Sequence, residues 1–204
     1  MPRKPRVLYP NALYHVFNRG VEKRPIFLDD RDRKTFLKVL GGAIEEFHFT
    51  LFAYCLMSNH YHLFLRTLLA NLDKGMQSFQ SQYAHYLNLR YTRVGPLFQG
   101  RYQSRLVESD SYIPALTRYI HRNPLEASLV SRLEDYAWSS YPSYLGISPK
   151  WNWLETDWVL CQFHEQRLNA RRLFQEFHEK DPDNDVSRMI QNITPKRGRP
   201  RKGV

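Results

Sequence analysis

The stretch TLFAYCLMSNHYHLFLRT, residues 50–67, contains two short apolar and aromatic runs on either side of a polar Ser-Asn-His turn. Runs of this length and composition are typical of an antiparallel β-hairpin. Alternate side chains of a strand share one face. His60 and His62 are therefore predicted to project together, while Tyr61 and Leu63 point the other way into the core.

Sequence patterns on both sides of this hairpin predict the remaining elements. They are a strand at 12–20, a helix at 29–47, a second helix at 72–91, a strand near 101–109, and a third helix at 109–123 that Pro124 ends. The resulting order is strand, helix, strand, strand, helix, strand, helix. This order predicts an α+β fold of the ferredoxin-like sandwich type, in which helices pack on an antiparallel sheet.

The length of 204 residues predicts one domain with appendages. We expect a main domain at 1–145 and a C-terminal helical and aromatic extension at 146–185 that packs on it. Within that region, residues 157–180 could form one more helix. The basic, Pro- and Gly-containing segment 186–204 is expected to be a disordered tail.

Composition excludes several classes of protein. No apolar stretch approaches the ~20 residues that span a bilayer, and the N-terminus lacks the apolar core of a signal peptide. Cys55 and Cys161 make neither a disulfide framework nor a paired-cysteine metal motif. A cytoplasmic protein with reduced cysteines is therefore expected.

The formal net charge of +10 is unevenly distributed. The two chain ends contribute eight positive charges and no acid, whereas residues 47–107 carry six basic residues against the single acid Asp73. A local field of one sign attracts polyanions, but a solvated basic face without a ligand is equally compatible with this pattern. Charge alone leaves both readings open.

Two imidazoles on one strand face make half of a metal site, although such pairs are also found as ordinary hydrogen-bonded histidines. No cysteine cluster and no third nearby histidine completes a zinc set. One amide or carboxylate oxygen added to His60 and His62 would suit a hard cation and phosphate oxygens.

The segment RYIHRNP, residues 118–124, offers such an oxygen, because Tyr119 and Asn123 stand four apart and share a helix face. Tyr119 lies at the margin of the buried stripe and can point toward the histidines. The alternative is a packing residue with a solvated hydroxyl. His121 lies on another face and is interpreted as a surface or structural residue.

Four segments together resemble the REP-associated tyrosine transposases, which are bacterial relatives of the single-tyrosine transposases in the HUH endonuclease superfamily. They are CLMSNHYHLFL (55–65), GPLFQGRYQSRLVESDSYI (95–113), RYIHRNPLEASLV (118–130) and YAWSSY (136–141). The resemblance covers roughly residues 8–145. One departure is Ser58, which stands where a proline is common.

The resemblance implies a set of site residues. His60 and His62 would be the ligands of Mg²⁺ or Mn²⁺, and Tyr119 would be the nucleophile. Asn123, where relatives often have Gln, would be a third ligand or a group that polarises the phosphate. The domain at 1–145 would then be an HUH single-tyrosine transposase domain.

The activity implied is that of a metal-dependent endonuclease and strand transferase for single-stranded DNA. It would act next to hairpins of palindromic repeats through a 5′-phosphotyrosine, as a nucleoid-associated monomer or weak dimer in a bacterial cytoplasm. A non-catalytic DNA-binding regulator on the same fold is the alternative. A small-molecule metallohydrolase is a third reading, which the lack of a carboxylate-rich metal set weakens.

Basic and aromatic side chains are candidates for DNA contacts through phosphates or stacked bases, with burial in the core as the alternative for the aromatics. The candidates are Arg90, Arg93, Phe98, Arg101, Tyr102 and Arg105, with Arg197, Arg199 and Arg201 in the tail. The tail segment PKRGRPRK (195–202) resembles an AT-hook, which inserts arginines into a narrow minor groove. A generic basic tail that acts by counterion release is the alternative.

Overall fold

The computed structural model of the chain describes residues 8–180. The tail at 186–204, with Arg197, Arg199, Arg201 and the AT-hook-like motif, lies outside the described residues. The domain boundaries at residues 145 and 185 stay predictions.

Four antiparallel strands form one sheet in the order β2-β3-β1-β4. The strands are β1 (Leu13–Arg19), β2 (Phe49–Met57), β3 (His60–Thr67) and β4 (Gln103–Leu106). The first three helices are α1 (Asp30–Phe47), α2 (Leu72–Arg90) and α3 (Ile113–Glu126). The element order and the antiparallel sheet confirm the α+β ferredoxin-like fold predicted from the sequence.

Local sequence accounts for the boundaries of these elements. Met57 pairs with His60, so Ser58 and Asn59 form a two-residue hairpin turn between β2 and β3. The Asp29 carboxylate accepts the backbone N–H of Asp32 at the start of α1, and the Asp32 carboxylate accepts that of Asp29. This reciprocal cap satisfies N–H groups that a helix start leaves without partners.

Both faces of the sheet are covered. The helices α1 and α2 pack on one face over a core that contains Phe36, Phe79, Tyr61 and other buried side chains. The helix α3 packs on the opposite face against β2 and β3, where the predicted stripe of α3 meets Phe64. That stripe consists of Ile113, Leu116 and Ile120.

Three short helices follow α3, and they are α4 (Tyr141–Leu145), α5 (Asp157–Leu160) and α6 (Arg167–Glu179). The expectation of one helix over 157–180 is therefore wrong. Residues 161–166 interrupt it with a turn that brings Phe163 back onto Phe174 of α6, with ring centroids 5.4 Å apart. This apolar contact favours two separate helices rather than one continuous helix.

The segment that contains these helices covers the outer edge of β2. The N–H of Leu56 donates to the carbonyl of Trp138, and the N–H of Glu155 donates to the carbonyl of Leu51. On the adjacent surface Trp153 lies against Gly41, where a Cβ atom would meet the indole nitrogen at 2.5 Å. The covered edge offers no free ladder of N–H and C=O groups to another strand.

The helix α3 is fixed to α6 by buried polar contacts. His121 Nδ1 lies 3.1 Å from His178 Nε2, and His121 Nε2 lies 2.7 Å from the Ser140 hydroxyl. Arg118 and Arg122 donate to carbonyl groups at the C-terminal end of α6. Of the two readings of His121 left open, these contacts favour the structural one.

The sequence predicted that α3 ends before Pro124. In the structure the helix continues through Pro124 to Glu126. A proline in a helix removes one N–H donor and frees the carbonyl four residues earlier.

Within residues 8–180, no helix is long and apolar enough to cross a membrane.

Candidate active site

The four residues predicted to form the site lie together between β3 and α3. The rings of His60 and His62 have centroids 5.2 Å apart and are nearly perpendicular. The ring of Tyr119 stands edge-on to His62 with centroids 5.6 Å apart. One helical turn later, the side chain of Asn123 lies next to the His60 ring. The helix spacing of four residues thus places a hydroxyl and an amide along the same pair of histidines.

Each histidine of the pair has a neighbour that fixes its ring. His15 of β1 places Nε2 3.0 Å from His62 Nδ1, and His60 Nδ1 donates to Asn59 Oδ1 over 2.7 Å. Both Nδ1 atoms are therefore engaged, and Nε2 is the ring nitrogen left for a cation. Partners of this kind orient the imidazoles of metal sites.

Sequence reasoning missed His15, because it considered only histidines close to His60 in the chain. The ring of His15 lies 5.8 Å from that of Tyr119 and thus belongs to the site. A signal was present, since a histidine within the apolar strand LYHVFNR is as unusual as the pair in β3.

The residues present fit a divalent cation held by two imidazoles and one amide oxygen. Among residues 8–180, no group of three His, Cys, Asp or Glu side chains could hold a metal ion. A third ligand would therefore have to come from another residue type, such as the amide of Asn123. Asn123 Nδ2 donates to the carbonyls of Tyr119 and Ile120 over 2.7 and 3.3 Å, so the amide oxygen is the atom that a cation could contact. Such a set suits a hard cation that keeps coordination positions for phosphate oxygens.

Burial controls the electrostatics of the site. It lowers the pKa of His60 and lowers that of His62 well below the usual value, with His15, His60 and Arg105 adding to the effect at His62. Burial also lowers the pKa of His15 to about 3, assisted by Arg105. Neutral imidazoles retain the lone pairs that bind metals.

Arg105 is a cation whose charge acts on Tyr119. Burial raises the pKa of Tyr119, the charge of Glu126 raises it further, and the positive charge of Arg105 opposes both. The guanidinium of Arg105 lies 5.1 Å from the centroid of the Phe17 ring, and its strand position pairs with His15. Arg105 is half-buried within the site. This position favours an effect on Tyr119 over the DNA contact that the sequence predicted.

Other predicted DNA contacts need correction. Phe98 and Tyr102 are 8% and 3% exposed and belong to the core beneath α1 and α2, so neither ring offers a free face to a base. Arg90 forms ion pairs with Asp29 and Asp32, each at 2.5 Å. These ion pairs connect the end of α2 to the start of α1, so Arg90 has a structural role.

The two remaining arginines differ in position. Arg101 is exposed and lines a cavity next to His60. Arg93 is half-exposed in the loop after α2, and no contact within residues 8–180 connects its side chain to the site. Of the two arginines, Arg101 is therefore the better candidate for the predicted DNA contact.

Comparisons with known proteins bear on this geometry. A family model described as "Transposase IS200 like" matches residues 9–123, a segment that includes His60, His62, Tyr119 and Asn123. A solved structure of a REP-associated tyrosine transposase bound to a REP hairpin superposes with a TM-score of 0.62 at 12% identity. The match covers 76% of this chain and 98% of that chain, and at this identity it shows the shared fold.

Two further solved structures align less well. A transposase candidate from Deinococcus radiodurans gives a TM-score of 0.42 at 17% identity, covering 58% of this chain and 95% of that one. The tRNA(His) guanylyltransferase of Saccharomyces cerevisiae gives 0.46 at 10% identity, with 88% and 85% covered. Neither carries an argument about function. Among curated proteins, no match was found.

Proposed function

Because the chain belongs to the IS200-like transposase family, we propose that it cuts and rejoins single-stranded DNA through a covalent bond between Tyr119 and a 5′-phosphate. The family match confirms the transposase resemblance drawn from the sequence motifs. The observation that carries the proposal is the position of Tyr119 against His62, with Asn123 one turn later against His60.

In the proposed reaction, the Tyr119 hydroxyl oxygen attacks the scissile phosphorus. A bond forms between that oxygen and phosphorus, and the bond from phosphorus to the 3′ oxygen of the preceding nucleotide breaks. The phenol loses its proton, and the leaving 3′ oxygen gains one. The phosphotyrosine conserves the energy of the broken bond, so a 3′-hydroxyl of another strand can reverse the step and complete strand transfer.

The other site residues would prepare this attack. His60, His62 and Asn123 would hold Mg²⁺ or Mn²⁺, which when bound supplies positive charge that neutralises and polarises the phosphodiester. His15 and Asn59 keep the two imidazoles in the orientation in which Nε2 is free. Arg105 places positive charge near the oxygen of Tyr119, where negative charge develops during attack.

The substrate we propose is a DNA hairpin of palindromic repeats with a single-stranded flank. Support comes from the structure of similar fold, which is bound to a REP hairpin. His60, Tyr119 and Asn123 are also partly exposed, so an unpaired strand has access to them. We propose that the chain acts as a monomer or a weak dimer.

A covalent-capture experiment tests this function. A hairpin with single-stranded flanks from the genomic repeat is labelled at either end and incubated with Mg²⁺ or Mn²⁺, and the products are separated on a denaturing gel. A 5′-phosphotyrosine retains the 3′ label on the protein and releases the 5′ label. The wild type is expected to form this adduct, and Tyr119→Phe is expected to bind DNA without forming it.

Tyr112→Phe is the matched control, because Tyr112 is half-buried near Tyr119 and Arg105. An adduct that survives in Tyr119→Phe and disappears in Tyr112→Phe would move the nucleophile. Tight hairpin binding without any adduct would favour the non-catalytic DNA-binding regulator.

A further inference from the structure

A cavity of about 640 Å³ opens beside His60, where β1 ends and β3 begins. Its volume falls within the ~300–1,000 Å³ of pockets that bind small ligands. Phe17 contributes an apolar surface to it, and Gln103 contributes an exposed amide. Of the proposed site residues, His60 lines this cavity, whereas His62, Asn123 and Tyr119 do not.

The charged side chains of the cavity are all positive. Arg19, Lys23 and Arg101 line it, and no Asp or Glu does so. Within residues 8–180, no carboxylate forms an ion pair with any of the three. Gln99 accepts a hydrogen bond from the Arg19 guanidinium and orients it. The cavity therefore suits an anionic ligand that also carries an apolar, hydrogen-bonding part.

The rim of the cavity is fixed by internal hydrogen bonds. Asn18 Nδ2 donates to the carbonyl of Gly100 over 3.1 Å, and Asn59 Nδ2 donates to the carbonyl of Lys23 over 2.9 Å. These bonds tie β1 and the hairpin turn to the loops that carry Arg101 and Lys23. A ligand would thus meet a largely preformed wall, in which the exposed Gln103 amide donates to the carbonyl of Arg101 over 3.5 Å.

The cavity and Tyr119 lie on opposite sides of the histidine pair. Along β1, His15 contacts Tyr119, whereas Arg19, four residues later, pairs with His60 and lines the cavity. Four residues of a strand span ~13 Å. A phosphate held at the histidines would therefore have the tyrosine on one side and the cavity on the other.

Displacement at phosphorus places the attacking and leaving oxygens roughly in line, on opposite sides of the phosphorus atom. With Tyr119 as the attacking group, the leaving 3′ oxygen points toward the cavity. We infer that the cavity binds the nucleotide immediately 5′ of the scissile phosphate, which carries the 3′-hydroxyl after cleavage. This inference rests on the proposed function and specifies which part of the substrate the site recognises.

The lining gives each part of that nucleotide a partner. The base would lie against Phe17 within reach of Gln103, and its 5′-phosphate would lie near Arg101 and Lys23. After cleavage, the same contacts would keep the free 3′-hydroxyl beside the phosphotyrosine. The cavity would thereby retain the released end, which limits loss of the strand before transfer.

The test is a scan with abasic sites, performed after the scissile phosphate of the hairpin probe has been mapped by covalent capture. One DNA lacks the base 5′ of that phosphate, and a matched DNA lacks the base 3′ of it. Removal of the 5′ base is expected to slow adduct formation about tenfold or more at limiting DNA concentration, because the contacts between that base and the cavity are lost. Removal of the 3′ base is expected to have a smaller effect.

Protein variants identify the cavity as the cause. Gln103→Ala and Arg101→Ala are expected to slow adduct formation severalfold, and Gln103→Ala should reduce the effect of the missing 5′ base. Gln82→Ala is the matched control, because Gln82 is exposed on α2 and its amide donates to the Ser78 hydroxyl of the same helix. Thermal unfolding of each variant verifies that it is folded.

The outcomes separate the two proposals. Adducts from intact DNA that form at the same rate without the 5′ base would overturn the inference and leave the proposed function standing. Equal losses for both abasic positions would overturn it too. If intact DNA gives no adduct with the wild type, the proposed function fails and the inference fails with it.

Discussion

The side-chain amide of Asn123 donates a hydrogen bond to the main-chain carbonyl of Ile120, with nitrogen and oxygen 3.3 Å apart. In a regular helix that carbonyl accepts the N–H of the residue four positions later. Here that residue is Pro124, which has no N–H. The proline thus provides a free acceptor that helps to turn the oxygen of Asn123 toward the histidines.

Pro124→Ala is expected to slow adduct formation severalfold, because the new N–H competes for the Ile120 carbonyl and loosens the Asn123 side chain. Adduct rates are measured at saturating DNA, with urea unfolding in parallel to verify folding. Pro114→Ala is the matched control, since Pro114 lies in the first turn of the same helix. Equal losses in both variants would contradict a positioning role for Pro124.

His15→Phe is expected to weaken binding of Mn²⁺ by about 10–100-fold, the loss found when a group that orients a metal ligand is removed. Phenylalanine keeps an aromatic ring against Tyr119 but cannot bond to His62 Nδ1. Calorimetric titration of the protein with Mn²⁺ measures the affinity without DNA. His85→Phe, on the exposed surface of α2, serves as the control, and an unchanged affinity in His15→Phe would exclude this role.

Arg105→Met is expected to slow adduct formation roughly tenfold at saturating DNA, because a charge near the tyrosine oxygen contributes on the order of 1 kcal/mol or more at the intermediate dielectric of such sites. Arg105→Lys should retain much of the rate. Hairpin affinity should change little in either variant. A lower salt dependence of binding with an unchanged rate would instead restore the phosphate contact that the sequence predicted.

The features of this fold that the sequence predicts are those encoded by local periodicity. Alternation along β3 places His60 and His62 on one face, and the four-residue spacing of α3 aligns Tyr119 with Asn123. Both are consequences of strand and helix geometry within a few residues. The order of elements then restricts the sheet to few topologies.

The features that sequence reasoning missed depend on contacts between distant segments. His15 reaches His62 across 47 positions, a pairing that only strand register creates. Arg90 likewise finds its carboxylates 58 and 61 positions away, so its basic charge alone gave a wrong role. Composition could not distinguish an arginine that binds DNA from one that closes an internal ion pair.

His178→Phe is expected to reduce the acid sensitivity of the fold. Burial lowers the folded-state pKa of His178 to about 3, and Arg118 and Arg122 oppose its protonation. The unfolded chain takes up this proton below about pH 6.5 whereas the folded chain does not, so the free energy of unfolding falls as pH drops from about 6.5 toward 3. Urea unfolding without metal should show that the variant loses about 1.2 kcal/mol less than the wild type between pH 6 and 5. The exposed His164, changed to Phe, should leave this slope unchanged. Identical slopes for wild type and His178→Phe would mean that His178 already takes up its proton in the folded state, and hence that its bond to His121 does not depend on a neutral pair.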